Sequence, residues 1–173
     1  IVVGNFVWKN GEKDTEVVFK PDTKGRFKIA WMPPPDLRNK KTYERGKLLP
    51  ANAELGVGGV DSYDLDATVD GRGSKGALHL YNKFHMEHPS NMFVLEYASR
   101  PPLAKIFYED VLMAAVFYGY SILIENNKYG IARYFESRGY DGYLMNRPPH
   151  LNSSSSKVNV KTKGIPSNSQ DII

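Results

Sequence analysis

The chain has 173 residues, 41% of them hydrophobic, which is enough to bury one sizeable core. It has no cysteine, which excludes disulfide scaffolds and thiolate metal sites and suits a cytosolic compartment. No apolar run approaches the ~18 residues of a membrane span, so no membrane is expected among its partners.

The formal net charge is +4, but its distribution says more. Residues 1–50 hold 11 basic and 6 acidic side chains, residues 51–150 hold 9 and 12, and residues 151–173 hold 3 and 1. The nets of +5, −3 and +2 describe an acidic centre between basic flanks. This suits a carboxylate site served by a basic approach surface, and equally an ordinary solvated exterior. Residue 1 is Ile rather than Met, which reads as an excised domain.

In chain order, Thr15–Lys20 and Arg26–Trp31 are β-rich, and Asp22-Thr23-Lys24-Gly25 between them is turn chemistry. They are expected to form an N-terminal hairpin appendage. Met32-Pro33-Pro34-Pro35 ends regular structure, and residues 33–52 read as an extended linker. Residues 1–50 are thus taken as hairpin and linker.

Residues 51–150 are expected to form the core. Gly56–Tyr63, Gly76–Phe84 and Met92–Ala98 read as three strands, separated by gaps short enough for antiparallel pairing. From Leu103 to Tyr118 the apolar spacing becomes helical, with Pro101 and Pro102 at the start and Gly119 at the stop. Tyr120–Ile124 is a fourth strand and Tyr129–Arg138 a second helix. The order predicts an α/β fold with a mixed sheet: three antiparallel strands, a helix, a strand returning parallel beside the first, and a helix. Residues 151–173 are polar, include the run Ser153–Ser156, and read as a mobile tail.

Asp61 closes the first core strand, and Glu125 closes the strand Tyr120–Ile124. Asp64, Asp66 and Asp70 follow Asp61. Taken singly, Asp61 opens a turn and Glu125 caps the next helix. Taken together at the ends of neighbouring strands, two such acids repel unless a cation lies between them, and hard divalent ions prefer carboxylate oxygens. Two ions about 4 Å apart can activate water and stabilise a leaving phosphodiester oxygen. Gly71-Arg72-Gly73-Ser74-Lys75-Gly76 is not a phosphate loop, since it enters a strand. It reads as a hairpin loop whose Arg72 and Lys75 are candidate DNA-phosphate contacts. His85 and His88 lack the further ligands that zinc needs and read as polar loop histidines.

These elements resemble the nuclease domain of tailed-phage large terminase subunits over residues 56–149. The matching features are Gly59-Val60-Asp61, Glu96-Tyr97 with Arg100-Pro101 before the long helix, Ile124-Glu125-Asn126-Asn127-x-x-Gly130, and Gly139-Tyr140 with Asn146-Arg147-Pro148. The resemblance implies a ribonuclease H-like domain that cuts concatemeric viral DNA during packaging with two divalent ions, Mg²⁺ or Mn²⁺. Asp61 and Glu125 match the catalytic, metal-binding acids. The family's third acid is expected beyond residue 173, and Asp66 is the nearest substitute within the chain. The resemblance also implies double-stranded DNA as substrate, an upstream packaging ATPase, portal and small terminase subunit as partners, and the cytoplasm of the infected bacterial host as location. Two other readings stay open: another ribonuclease H-like nuclease (resolvase, transposase or ribonuclease), and a non-catalytic DNA- or protein-binding module of a viral assembly.

Overall fold

A computed structural model describes residues 1–61, 76–85, 87–124 and 129–145. The described strands are β1 (Val2–Trp8), β2 (Val17–Pro21), β3 (Phe27–Ile29), β4 (Lys41–Glu44), β5 (Lys47–Pro50), β6 (Gly56–Asp61), β7 (Gly76–Asn82), β8 (Met92–Ser99) and β9 (Ser121–Leu123). The helices are α1 (Ala104–Tyr118) and α2 (Tyr129–Ser137). Seven strands form one mixed sheet in the order β2-β1-β3-β8-β7-β6-β9, and β4 pairs with β5 separately.

The central strands follow the expected order. β6, β7 and β8 pair antiparallel, and β9 returns parallel beside β6 with Gly59 opposite Leu123. A parallel bridge between Ile122 and Leu144 carries the sheet one step beyond β9. The chain is therefore an α/β protein built on a large mixed sheet. Strand alternation explains which face is covered. Leu78 and Leu80 of β7, Val60 of β6 and Tyr97 of β8 are buried. They lie in one core cluster with Phe107, Val111, Ala114 and Phe117 of α1. Full burial of side chains this size stabilises by about 1.5–3 kcal/mol each. Helix α1 stops at Gly119, whose φ of 71° and ψ of 34° are the left-handed values a glycine cap supplies.

β8 carries an irregularity with a consequence for its other face. Leu80 pairs with Leu95 and Tyr81 with Phe93, so Val94 is the extra residue of a bulge. The bulge turns Phe93 and Glu96 to the same side, away from α1.

Two expectations about the first fifty residues are corrected. The segments Thr15–Lys20 and Arg26–Trp31 do not pair with each other: β2 and β3 lie on opposite sides of β1, both antiparallel to it. Gly4 pairs with Pro21 on one side and with Phe27 on the other. The chain thus crosses β1 at Gly4. A Cβ on Gly25 would lie 2.3 Å from the Gly4 backbone, so the crossing requires glycine there. The turn itself forms, with the Lys24 N–H donating to Asp22 Oδ1 at 2.9 Å. It spans a strand instead of reversing onto its neighbour. Because β3 also pairs with β8, these strands continue the main sheet and are not an appendage. The expected linker 33–52 contains the β4–β5 hairpin. Its two-residue turn, Arg45-Gly46, has φ of 53° and 76°, the conformation that matches strand twist. Asn52 anchors the hairpin's exit by donating from Nδ2 to the Leu37 and Tyr118 carbonyls, both at 2.9 Å.

Candidate functional site

The face of the sheet opposite α1 forms a trough of about 1090 Å³, lined by parts of β3, β8, β7, β6 and β9. Most of its wall is apolar: Val57, Ala77, Tyr81, Phe93 and Leu123 are among the residues. The acidic and basic side chains among its polar lining are Lys28, Asp61, His79 and Glu96.

Asp61 is the last residue of β6, opposite Ala77, and is exposed. Among the described residues no cation or side-chain donor reaches its carboxylate. β9 ends beside it: Leu123 is level with Gly59, two residues before Asp61, and both strands run the same way. Glu125, Asp66, Asp64, Asp70, Arg72 and Lys75 lie outside the described residues. The pairing of the Asp61 and Glu125 carboxylates therefore lies outside the described residues. Among the described residues no group of three or more His, Asp or Glu side chains could hold a metal ion. What the described part contributes is one hard oxygen donor at a strand end, open to the trough, which fits a divalent ion's preference.

Comparison of the chain with family models, with curated proteins and with solved structures returns no match. The site therefore rests on its own chemistry.

A polar row crosses the trough. Lys28 of β3 pairs with Glu96 of β8, Glu96 with His79 of β7, and His79 with Gly59 of β6. His79 Nε2 is 3.8 Å from Glu96 Oε1, and both side chains are about half exposed. The ring of Phe93 meets His79 edge-on at 5.8 Å between centroids, and that of Tyr81 at 5.1 Å. Sequence reading missed this row. Its signal was the alternation Leu78-His79-Leu80-Tyr81, which turns His79 and Tyr81 away from the core. Glu96, between the buried Leu95 and Tyr97, shares that face by alternation, whereas the β8 bulge, which brings Phe93 to it, left no such signal.

The acids of α1 do other work. Glu109 accepts from Trp8 Nε1 at 2.6 Å, Tyr134 OH at 2.8 Å, and Arg138 Nε and Nη2 at 3.0 Å each. Burial pushes its pKa up, but these donors outweigh that and hold it below the ordinary 4.5. Arg138 also donates to Asp14, at 2.9 and 3.0 Å, so the network binds α2 to α1 and to the loop after β1. Asp110 accepts from Arg26 Nε and Nη2 and from Tyr97 OH. Asp141 pairs with Lys47 at 3.0 Å. His85 and His88 stack on each other at 5.2 Å, and His88 also meets Trp31.

Proposed function

We propose that this chain carries the metal-dependent nuclease core of a tailed-phage large terminase subunit, with a ribonuclease H-like sheet. The observation that carries the reading is the placement of Asp61. It ends the strand that has an antiparallel partner on one side and, on the other, a parallel strand reached through a helix. This arrangement brings the end of β6, which is Asp61 itself, to the same edge as the end of β9, after which the sequence continues Ile124-Glu125. The parallel bridge at Leu144 adds a further step in the same direction.

In this reading Asp61 and Glu125 hold two divalent ions, with Asp66 as a further donor. Bound Mg²⁺ or Mn²⁺ would supply an activated water and compensate charge at the leaving oxygen of the phosphodiester. The side chains' own part is to fix the ions against the DNA strand. Arg72 and Lys75 would meet the neighbouring phosphates, and such contacts position DNA without reading its sequence. Double-stranded DNA is the proposed substrate. An upstream packaging ATPase, the portal and the small terminase subunit are the proposed partners of the whole protein, within the cytoplasm of the infected host. No described helix is long and apolar enough to cross a membrane.

The test is nicking of supercoiled plasmid in Mn²⁺ or Mg²⁺ by the chain, extended downstream by its native sequence to bring in a further acid. Nicking is expected to need metal and to vanish in Asp61→Asn and in Glu125→Gln, which keep shape and remove charge. Equal cutting by both variants and the parent would overturn the assignment.

A further inference from the structure

Gly59 lies in the middle of β6, and among the described residues no neighbour would crowd a larger side chain's Cβ there. Its neighbours differ: a Cβ on Gly56 would lie 2.2 Å from the Tyr120 ring, and one on Gly58 would lie 2.4 Å from Ile122 Cδ1. A Cβ on Gly59 would meet nothing within 4 Å among the described residues, and its φ is not one of the positive values. Glycine inside a strand weakens it and often marks a bulge, a bend, or a place where a ligand or another backbone approaches closely; β6 pairs with β7 through Gly59 without a register shift. The hollow over Gly59 opens into the trough. His79 stands opposite it on one side and Leu123 on the other. Asp61 shares its face two residues on. Since Asp61 is opposite Ala77, His79 and Asp61 are diagonal neighbours, about 7–8 Å apart between Cα atoms.

We propose that this hollow seats the DNA phosphodiester backbone next to the metal-binding aspartate, with His79 as the side chain that contacts the phosphate. The inference rests on the nuclease reading and adds to it a second wall of the substrate site, contributed by β7. The bare backbone at Gly59 lets a strand of DNA lie close to the sheet. Glu96 faces one ring nitrogen of His79 and leaves the other for a phosphate oxygen. Lys28 stands opposite Glu96 in the pairing of β3 with β8, on the side away from Asp61.

The variant that tests this is Gly59→Val, because among the described residues a Cβ there meets open space and a β-branched residue suits a strand. Its melting temperature is expected to equal or exceed the parent's. Its affinity for a short fluorescein-labelled DNA duplex in Mn²⁺, read by anisotropy, is expected to fall about tenfold or more. His79→Gln, which keeps a donor, is expected to retain more affinity than His79→Ala. Mn²⁺ binding by calorimetry, without DNA, should be unchanged in all three and lost in Asp61→Asn. Unaltered DNA affinity in Gly59→Val and His79→Ala, with Mn²⁺ binding still lost in Asp61→Asn, would overturn the hollow and leave the nuclease reading standing. Mn²⁺ binding unaffected by Asp61→Asn would overturn that reading and the inference with it. A chain that binds no duplex would overturn the hollow as a DNA seat.

Discussion

Arg26, in the turn before β3, grips Asp110 of α1 with two donors, Nε at 2.7 Å and Nη2 at 3.0 Å. The Asp110 side chain is 2% exposed and that of Arg26 is 33%. The pair joins the crossing of β1 to the helix that covers the sheet. The asymmetry in burial sets which loss matters more. Arg26→Ala strands a buried carboxylate and is expected to cost about 3 kcal/mol or more. Asp110→Asn leaves a half-open guanidinium that water can reach and is expected to cost about 1–2 kcal/mol. Urea unfolding of both variants checks the order. A smaller loss in Arg26→Ala than in Asp110→Asn would contradict it.

Glu109 gives the fold an acid-sensitive joint. Its folded pKa is depressed, so the unfolded state takes up its proton first as pH falls. The stability it contributes is present above 4.5, its ordinary value, and is lost as pH falls through the lower folded value. The melting temperature should therefore drop on acidification below about pH 4.5, and Glu109→Gln should flatten that limb while lowering stability at neutral pH. Trp8 donates to this carboxylate, so its fluorescence should report the joint opening. An unchanged acid limb in Glu109→Gln would show that the network is not the cause.

Gly119 ends α1 in the left-handed region, and a Cβ there would also lie 2.7 Å from Asn52 Nδ2. Gly119→Ala is expected to cost more than the ~1 kcal/mol of the conformational penalty alone, because Asn52 would have to release a carbonyl. Gly139, with φ of 83° and nothing within 4 Å, should show the conformational penalty only. Comparing the two alanine variants by thermal unfolding separates the terms.

The sequence made the central strands and both helices legible because their periods are clean. Leu78 and Leu80 alternate with polar residues, and Phe107, Val111, Ala114 and Tyr118 recur at helical spacing. The parallel return of β9 followed from one helical crossover. β1 was not legible as the strand between β2 and β3, since turn residues at Asp22–Gly25 say that the chain bends but not where it goes. The close contact of Gly4 with Gly25 decides that, and it is a long-range fact. The β4–β5 hairpin was hidden in a Pro- and Lys-rich stretch whose turn is Arg45-Gly46 rather than Asn-Gly. At the site, Asp61 stood out as an acid ending an apolar strand. His79 and Glu96 did not, because they are 17 residues apart in the sequence and meet only through pairing of β7 with β8.

The central claim is that Asp61 holds a divalent metal ion for phosphodiester hydrolysis. A crystal of this chain soaked in Mn²⁺, with anomalous scattering recorded, tests it most directly. Manganese density within coordination distance of the Asp61 carboxylate, with Glu125 on the same ion or its neighbour and no such density in Asp61→Asn, is the expected result. A well-ordered Asp61 with no manganese beside it, at concentrations that saturate binding in solution, would contradict the claim.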